Sequence, residues 1–239
     1  MAKAFEIAIA AAAAALAGCG SARGQSEGSA NRTYQVAAFE RIEVAGPYEV
    51  TVTTGSAPLV RATGGEQSLE RLVVEVEGGT LKIYPRRSGF MSGLSNDGSV
   101  RLTVTVPMLR AAEIAGSGTL SIDKVAGESF EGEVAGSGNL RLDQIDVRKL
   151  KMGIAGSGEI AARTGRAAVA GYEIAGSGDI DAGRIVTGVA SVSIAGSGNV
   201  NANATGTASV EIAGSGDVNL SGGAKCTVSK AGSGDVRCS

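Results

Sequence analysis

Ala115-Gly116-Ser117-Gly118 recurs beginning at Ala135, Ala155, Ala175, Ala195, Ala213 and Ala231, so successive copies start 20, 20, 20, 20, 18 and 18 residues apart. A period of about 20 residues is the mark of a solenoid, in which each coil of chain buries its apolar face only against its neighbours. The residues flanking each copy choose between strand and helix. Leu150, Met152 and Ile154 precede one copy and Ile160 and Ala162 follow it; Val192 and Ile194 precede the next but one, and Val200 and Ala202 follow. Apolar and polar positions alternate, which is strand periodicity. Gly-Ser-Gly between two such strands supplies the positive φ of a tight corner.

Twenty residues cannot hold a crossover helix and return to the same register. The chain must therefore wind on itself, each strand pairing with its equivalent one coil on. This predicts an all-β, right-handed parallel β-helix, the hand being that of nearly all parallel crossovers. Seven corners imply seven stacked coils and, at about 4.8 Å per strand, a rod roughly 34 Å long. Serines 117, 137, 157, 177, 197, 215 and 233 then form a hydroxyl file at the corner, a repeated geometric element rather than one activated nucleophile.

Composition agrees with a narrow interior. Of 239 residues 37 are Gly and 43% are hydrophobic, yet only 3% are aromatic, with no Trp and no His. The net charge of −2 lacks the basic footprint of a nucleic-acid partner. Without histidine, His-dependent triads and His-ligated metals are ruled out. Paired carboxylates remain available, as in sugar-cleaving enzymes, but the segments between corners are short and nearly free of aromatic platforms. We expect no enzyme, no catalytic residues, no resident metal and no cofactor.

Residues 1–18 read as a signal peptide: Lys3 near the start, then an apolar run from Ile7 to Ala17 too short to span a bilayer. It ends in Leu16-Ala17-Gly18-Cys19, similar to the lipobox of bacterial lipoproteins, in which the cysteine is acylated. Cleavage by an ordinary signal peptidase after Ala17 is the alternative. Residues 19–33, rich in Gly, Ser, Ala and Gln, read as a flexible tether. Assigning Cys19 to a lipid leaves Cys226 and Cys238 as an even pair. Aligned on the preceding coil, Cys226 falls opposite Ala208 and Cys238 opposite Leu220, both inward, so a disulfide across the end of the core is expected, worth about 2–3 kcal/mol; two buried thiols are the alternative. Lys230 takes the slot of Ile212, which suits a last coil open to water.

Residues 34–110 form an irregular, β-rich N-terminal cap ahead of the regular β-helix of residues 111–239. Phe39 to Val52 is a strand-corner-strand unit with Pro47 in place of serine, expected to start the solenoid. Strands are expected at Leu72–Val76, Leu81–Tyr84 and Val100–Val106, with a turn or two of helix within 66–72. In the Gly- and Ser-rich stretch 86–99, Phe90, Met91 and Leu94 are apolar where a solvated loop would be polar. They read either as a hairpin tip packed on the cap or as a partner-binding tip.

One outward file follows the corners: Thr119, Asn139, Glu159, Asp179, Asn199, Asp217 and Asp235. Gly-Ser-Gly-Asp resembles a calcium-binding repeat, but its spacing differs from that of the nine-residue motif, and turn chemistry alone selects Asn and Asp here. A second outward file holds Glu113, Glu133, Glu173 and Glu211, interrupted by Gly153 and Ser193.

The repeated corners, the opening Phe39-x-x-Ile42-x-Val44-x-Gly46-x-x-x-Val50-x-Val52 and the strand Gly79-Thr80-Leu81-Lys82-Ile83 together resemble the bacterial head GIN domain family, described as "putative auto-transporter adhesins". The resemblance runs from Phe39 to the C-terminus. It implies a right-handed β-helix in an exported, often lipid-anchored protein, and it supplies no catalytic residues. The expected function is a non-enzymatic envelope module with an adhesin-like binding or structural role, an outer-membrane lipoprotein facing the periplasm or the surface, held to the membrane by its N-terminal lipid and meeting a glycan or protein partner of the envelope or cell surface. The alternatives are a polysaccharide-acting enzyme and a calcium-stiffened structural solenoid.

Overall fold

The computed structural model describes residues 29–86 and 100–239. Its strands follow in order β1 (Ser29–Tyr34), β2 (Arg41–Ala45), β3 (Glu49–Thr54), β4 (Leu59–Gly65), the short helix α1 (Glu66–Arg71), β5 (Leu72–Glu77), β6 (Thr80–Pro85), β7 (Arg101–Val106) and β8 (Ala111–Gly116). The regular part comprises β9 (Thr119–Gly136), β10 (Asn139–Gly156), β11 (Glu159–Gly176), β12 (Asp179–Gly196), β13 (Asn199–Gly214), β14 (Val218–Ser221), β15 (Lys225–Gly232) and β16 (Val236–Cys238).

From β9 to β13 each strand pairs in parallel with the next, one coil on. A straight strand of 18 residues would run about 60 Å; these runs bend round a common core instead. The bends show where alternation fails. In β10 the inward residues are Leu140, Leu142, Ile145, Val147, Leu150, Met152 and Ile154, and two successive outward residues occur at Asp143–Gln144 and again at Arg148–Lys149. With the Ala-Gly-Ser-Gly corner these make three bends per coil, hence three sides: a first side (Asn139–Leu142), a narrow side (Ile145–Val147) and a third side (Leu150–Ile154). The fold is the expected β-solenoid, of about six coils. That is one fewer than the seven coils expected from the Ala-Gly-Ser-Gly corners, whose seven starts mark six repeats of 18–20 residues.

At the position before the corner, inward residues stack like on like. Ile114, Val134, Ile154, Ile174, Ile194 and Ile212 form one column of successive coils, all buried. The corner is packed backbone on backbone. Gly136 has φ 126°, and a Cβ there would lie 2.6 Å from the Gly116 carbonyl oxygen. A Cβ on Gly138 would meet Ile114 Cγ2 at 2.6 Å and Gly118 O at 2.8 Å. The tetrapeptide repeats because two of its positions admit no side chain. The 18-residue spacing at the C-terminal end is absorbed at the narrow side, where the β12–β13 register shifts between Ala182 and Val186 and between Thr187 and Val189.

The N-terminal cap departs from expectation in its order. The β2-corner-β3 unit does stack on the regular coils, β2 on β8 and β3 on β9. However, β6 and β7 lie beyond it, on the far edges of β2 and β3, so the chain enters at the second coil, runs outward and then returns. The end is closed by strands of opposite direction: β5 antiparallel to β6, β4 to β7 and β1 to β4. Reversed strands interrupt the parallel stacking register, which is how an exposed sheet edge is blunted.

At the other end β15 pairs with β13 and β16 with β14, placing Cys226 opposite Ala208, Lys230 opposite Ile212 and Cys238 opposite Leu220. The two cysteines stand at disulfide distance, Cα to Cα 6.6 Å. No coil covers this one among the described residues: Val228 is 46% exposed where Val210 beneath it is fully buried. Lys230 Nζ reaches water at the same end and donates to Gly234 O at 2.6 Å.

Candidate functional site

Among the described residues the outward columns are where coils differ most in chemistry, so a surface site is assembled from them. On the first side the file after the corner is a hydrogen-bonded ladder. Asp179 Oδ1 accepts from Asn199 N (3.1 Å) and Asn199 Nδ2 (2.8 Å), Asn199 Oδ1 from Asp217 N (3.2 Å), and Asp217 Oδ1 from Asp235 N (2.7 Å). A parallel ladder joins Asp181 to Asn201 and Asn201 to Asn219. The first ladder's oxygens satisfy backbone donors of the next coil, the role that turn chemistry assigns to them, while the second bonds side chain to side chain. Between the ladders lies a recess of about 360 Å³, closed at its far end by Asp235 and Arg237.

The third side carries the acidic file, and the structure lengthens it by one residue: Glu43 in β2 stands beside Glu113, followed by Glu133, Gly153, Glu173, Ser193 and Glu211. Partial burial raises the Glu113 carboxyl above the usual carboxylate range, and Glu43, Glu133 and Glu131 add to the effect by repulsion. Lys151 offsets part of this charge, with Nζ 3.1 Å from Glu131 and 3.5 Å from Glu133. Where Gly153 interrupts the file, Glu113, Glu133 and Glu173 line a shallow groove of about 380 Å³ floored by alanines 135, 155, 175 and 195. Glu113 and Glu133 lie on strands about 4.8 Å apart, near the spacing of a retaining glycosidase pair, and a raised carboxyl is what a general acid needs. The groove has no aromatic lining, so the enzymatic alternative has an address but no sugar platform.

The seven corner serines are all exposed. They form the predicted file, and their backbone amides hold the coils together, as Ser137 N donating to Gly116 O at 2.9 Å illustrates. Among the described residues no group of three or more Cys, Asp or Glu is arranged to hold a metal ion. No described helix is long and apolar enough to cross a membrane. Cys19, and Phe90, Met91 and Leu94 of the suggested partner-binding loop, lie outside the described residues.

Sequence reasoning missed one surface. Val169, Val186 and Val189 are 44–50% exposed, all on or beside the narrow side. Strict alternation would bury one of each neighbouring pair; the signal was the pair Ala168-Val169, where alternation breaks and both side chains face out.

Residues 38–224 match the family model described as "Putative auto-transporter adhesin, head GIN domain". Among solved structures the chain is similar to a "putative adhesin" from Bacteroides fragilis, at 22% identity and TM-score 0.81 over 90% of this chain and 98% of that one. It is also similar to a "putative lipid binding protein" from Parabacteroides distasonis, at 27% identity and TM-score 0.69 over 88% and 96%. A second P. distasonis structure, a "putative adhesin", matches at 19% identity and TM-score 0.70 over 90% and 98%. No curated protein matches the chain.

Proposed function

Because the chain belongs to the head GIN domain family of putative auto-transporter adhesins, we propose that it is an exported, lipid-anchored envelope module that binds a glycan or protein partner and catalyses no reaction. The observation carrying this reading is the division of labour in the coil. Inward columns of the regular coils are apolar except at Thr187 and the corners are small, so the described residues present flat, rigid files of polar side chains rather than a closed pocket. A flat, preorganised surface costs little ordering entropy when it meets an extended partner. Export is supported by the leader-like residues 1–18 and by the Cys226–Cys238 pair at disulfide distance, since such bonds persist in oxidising compartments.

The test is binding of the full chain to arrayed bacterial and host glycans and to whole cells, alongside mass spectrometry of the mature N-terminus. Adhesion predicts saturable retention of a defined glycan or cell type and an acylated Cys19. Retention by no surface under any condition would overturn it. Release of reducing sugar from a polysaccharide, abolished by Glu113→Gln or Glu133→Gln, would overturn the non-enzymatic part and establish the acidic groove as a glycosidase site.

A further inference from the structure

The exposed valines do not stand alone. Register places Lys149 beside Val169, Val169 beside Val189, Val189 beside Thr207 and Thr207 beside Lys225. The result is one outward column, Lys–Val–Val–Thr–Lys, running along the solenoid axis over about 19 Å at 4.8 Å per strand. Both lysines are exposed and make no ion pair among the described residues. Val186 stands three residues along the coil, on the narrow side beyond the Arg148–Ala168–Gly188 positions and beside Arg166, and Arg184 two residues before it makes no ion pair among the described residues. The carboxylates nearest this ridge are already engaged: the two oxygens of Asp146 accept from Arg166 Nε and Nη2 (2.9 and 3.1 Å), and Glu128 lies 3.6 Å from Arg148. The acidic file lies on another side, past the bend, four residues or about 13 Å further along the chain.

We propose that this ridge is a membrane-contact surface, seated on a bilayer containing anionic lipid. Its three valines enter the headgroup–acyl boundary, and Lys149 and Lys225 reach up to phosphates on either side of them. Apolar side chains bracketed by long cations are what an interfacial surface requires, because the lysine stems lie along the apolar region while their ammonium groups stay at the phosphates. The alternatives fit less well. A soluble polyanion would use the lysines but gain nothing from exposed valines. A second copy of the chain would bring lysine against lysine whichever way the column is laid on itself, since both ends carry the same charge. The contact would lay the rod along the surface and turn the acidic file and the Asn/Asp ladders away from it. This inference stands independently of adhesion and of Cys19 acylation.

The experiment uses the full chain carrying Cys19→Ser, so that an introduced cysteine is the sole free thiol and no acyl chain is attached. An environment-sensitive fluorophore is placed by Val186→Cys on the ridge or by Ser177→Cys at the serine corner, both exposed positions. With phosphatidylcholine vesicles containing phosphatidylglycerol, the probe at 186 should shift to the blue and the probe at 177 should not. A lysine near an anionic surface contributes about 5-fold in partitioning, so Lys149→Gln with Lys225→Gln should weaken the response about 30-fold. No shift at 186, equal shifts at both positions, or indifference to the lysine substitutions would overturn the proposal. So would an equal shift at 186 with a soluble anionic polysaccharide and no lipid, which would assign the ridge to polyanions instead.

Discussion

Replacing Gly136 by alanine tests the physical reason for the repeat. At φ 126° an L-residue is strained by about 1–3 kcal/mol. The new Cβ would also lie 2.6 Å from Gly116 O and 3.2 Å from both Gly116 C and Cα. Backbone cannot rotate away as a side chain would, so the coils must separate locally. Separation weakens the hydrogen bonds from Ser137 N to Gly116 O and from Ser157 N to Gly136 O, each 2.9 Å, at about 1 kcal/mol each. The total is about 3–5 kcal/mol, or about 10 °C in melting temperature for a chain of this size. The internal control is Gly171→Ala, where a Cβ would meet nothing within 4 Å and the change should stay within about 0.5 kcal/mol. Urea unfolding of the full chain followed by circular dichroism measures both, and hydrogen exchange at the corner amides localises the damage. A Gly136→Ala protein within about 1 kcal/mol of wild type would refute the packing argument, since strain alone accounts for no less. So would a Gly171→Ala protein that loses as much as Gly136→Ala.

Tyr172 is fully buried with no partner for its hydroxyl, and burial pushes its phenol up; Tyr172→Phe should therefore stabilise the protein by about 1 kcal/mol, read as a higher urea midpoint, whereas a loss would mean that the hydroxyl is bonded. The folded protein holds the Glu113 proton more tightly than the unfolded chain does, so this group's contribution to stability falls as pH rises through its raised value. Glu113→Gln should accordingly raise the melting temperature at neutral pH, by the few tenths to about 1 kcal/mol of a facing like-charge pair, and the gain should vanish once the pH is low enough to protonate the wild-type carboxyl; a loss at neutral pH would contradict the repulsion.

The regular coils were legible because one constraint repeats: Gly136 and its equivalents in later coils have no room for a Cβ, and the inward positions on either side alternate until Lys230 in the last coil. The same reasoning placed Cys226 opposite Ala208, Cys238 opposite Leu220 and Lys230 opposite Ile212, because register alone decides those neighbours. The order of the cap was not legible. Nothing local to Arg41–Thr54 says that β6 and β7 will stack outside it; that follows from β4 and β5 reversing direction, a long-range pairing with no periodic trace. Glu43 was missed as a member of the acidic file for the same reason, since it lies in the cap and joins Glu113 only through the β2–β8 pairing. The valine ridge carries no repeat signal of its own: Val169 faces out only because the chain bends at Ala168-Val169, where alternation breaks.

Repetition also explains why function must be sought in differences between coils. Inward columns change in size but, Thr187 apart, hardly in chemistry, as Gly132, Met152, Tyr172, Val192 and Val210 of one column show, and the corner admits only glycine at two of its four positions, so neither offers a varied polar surface. An outward column bears no such restriction: the one containing Lys149 reads Ser129, Lys149, Val169, Val189, Thr207 and Lys225 from coil to coil. The acidic file switches just as freely from Glu133 to Gly153 to Glu173. Where a backbone stacks at a constant step, such a column is a ruler carrying a different group at each mark. A change at one mark alters the surface about 4.8 Å from its neighbours while leaving the core untouched. Binding specificity can then be retuned one coil at a time at almost no cost in stability, a property suited to a module that meets extended partners and unnecessary for one built around a single catalytic constellation.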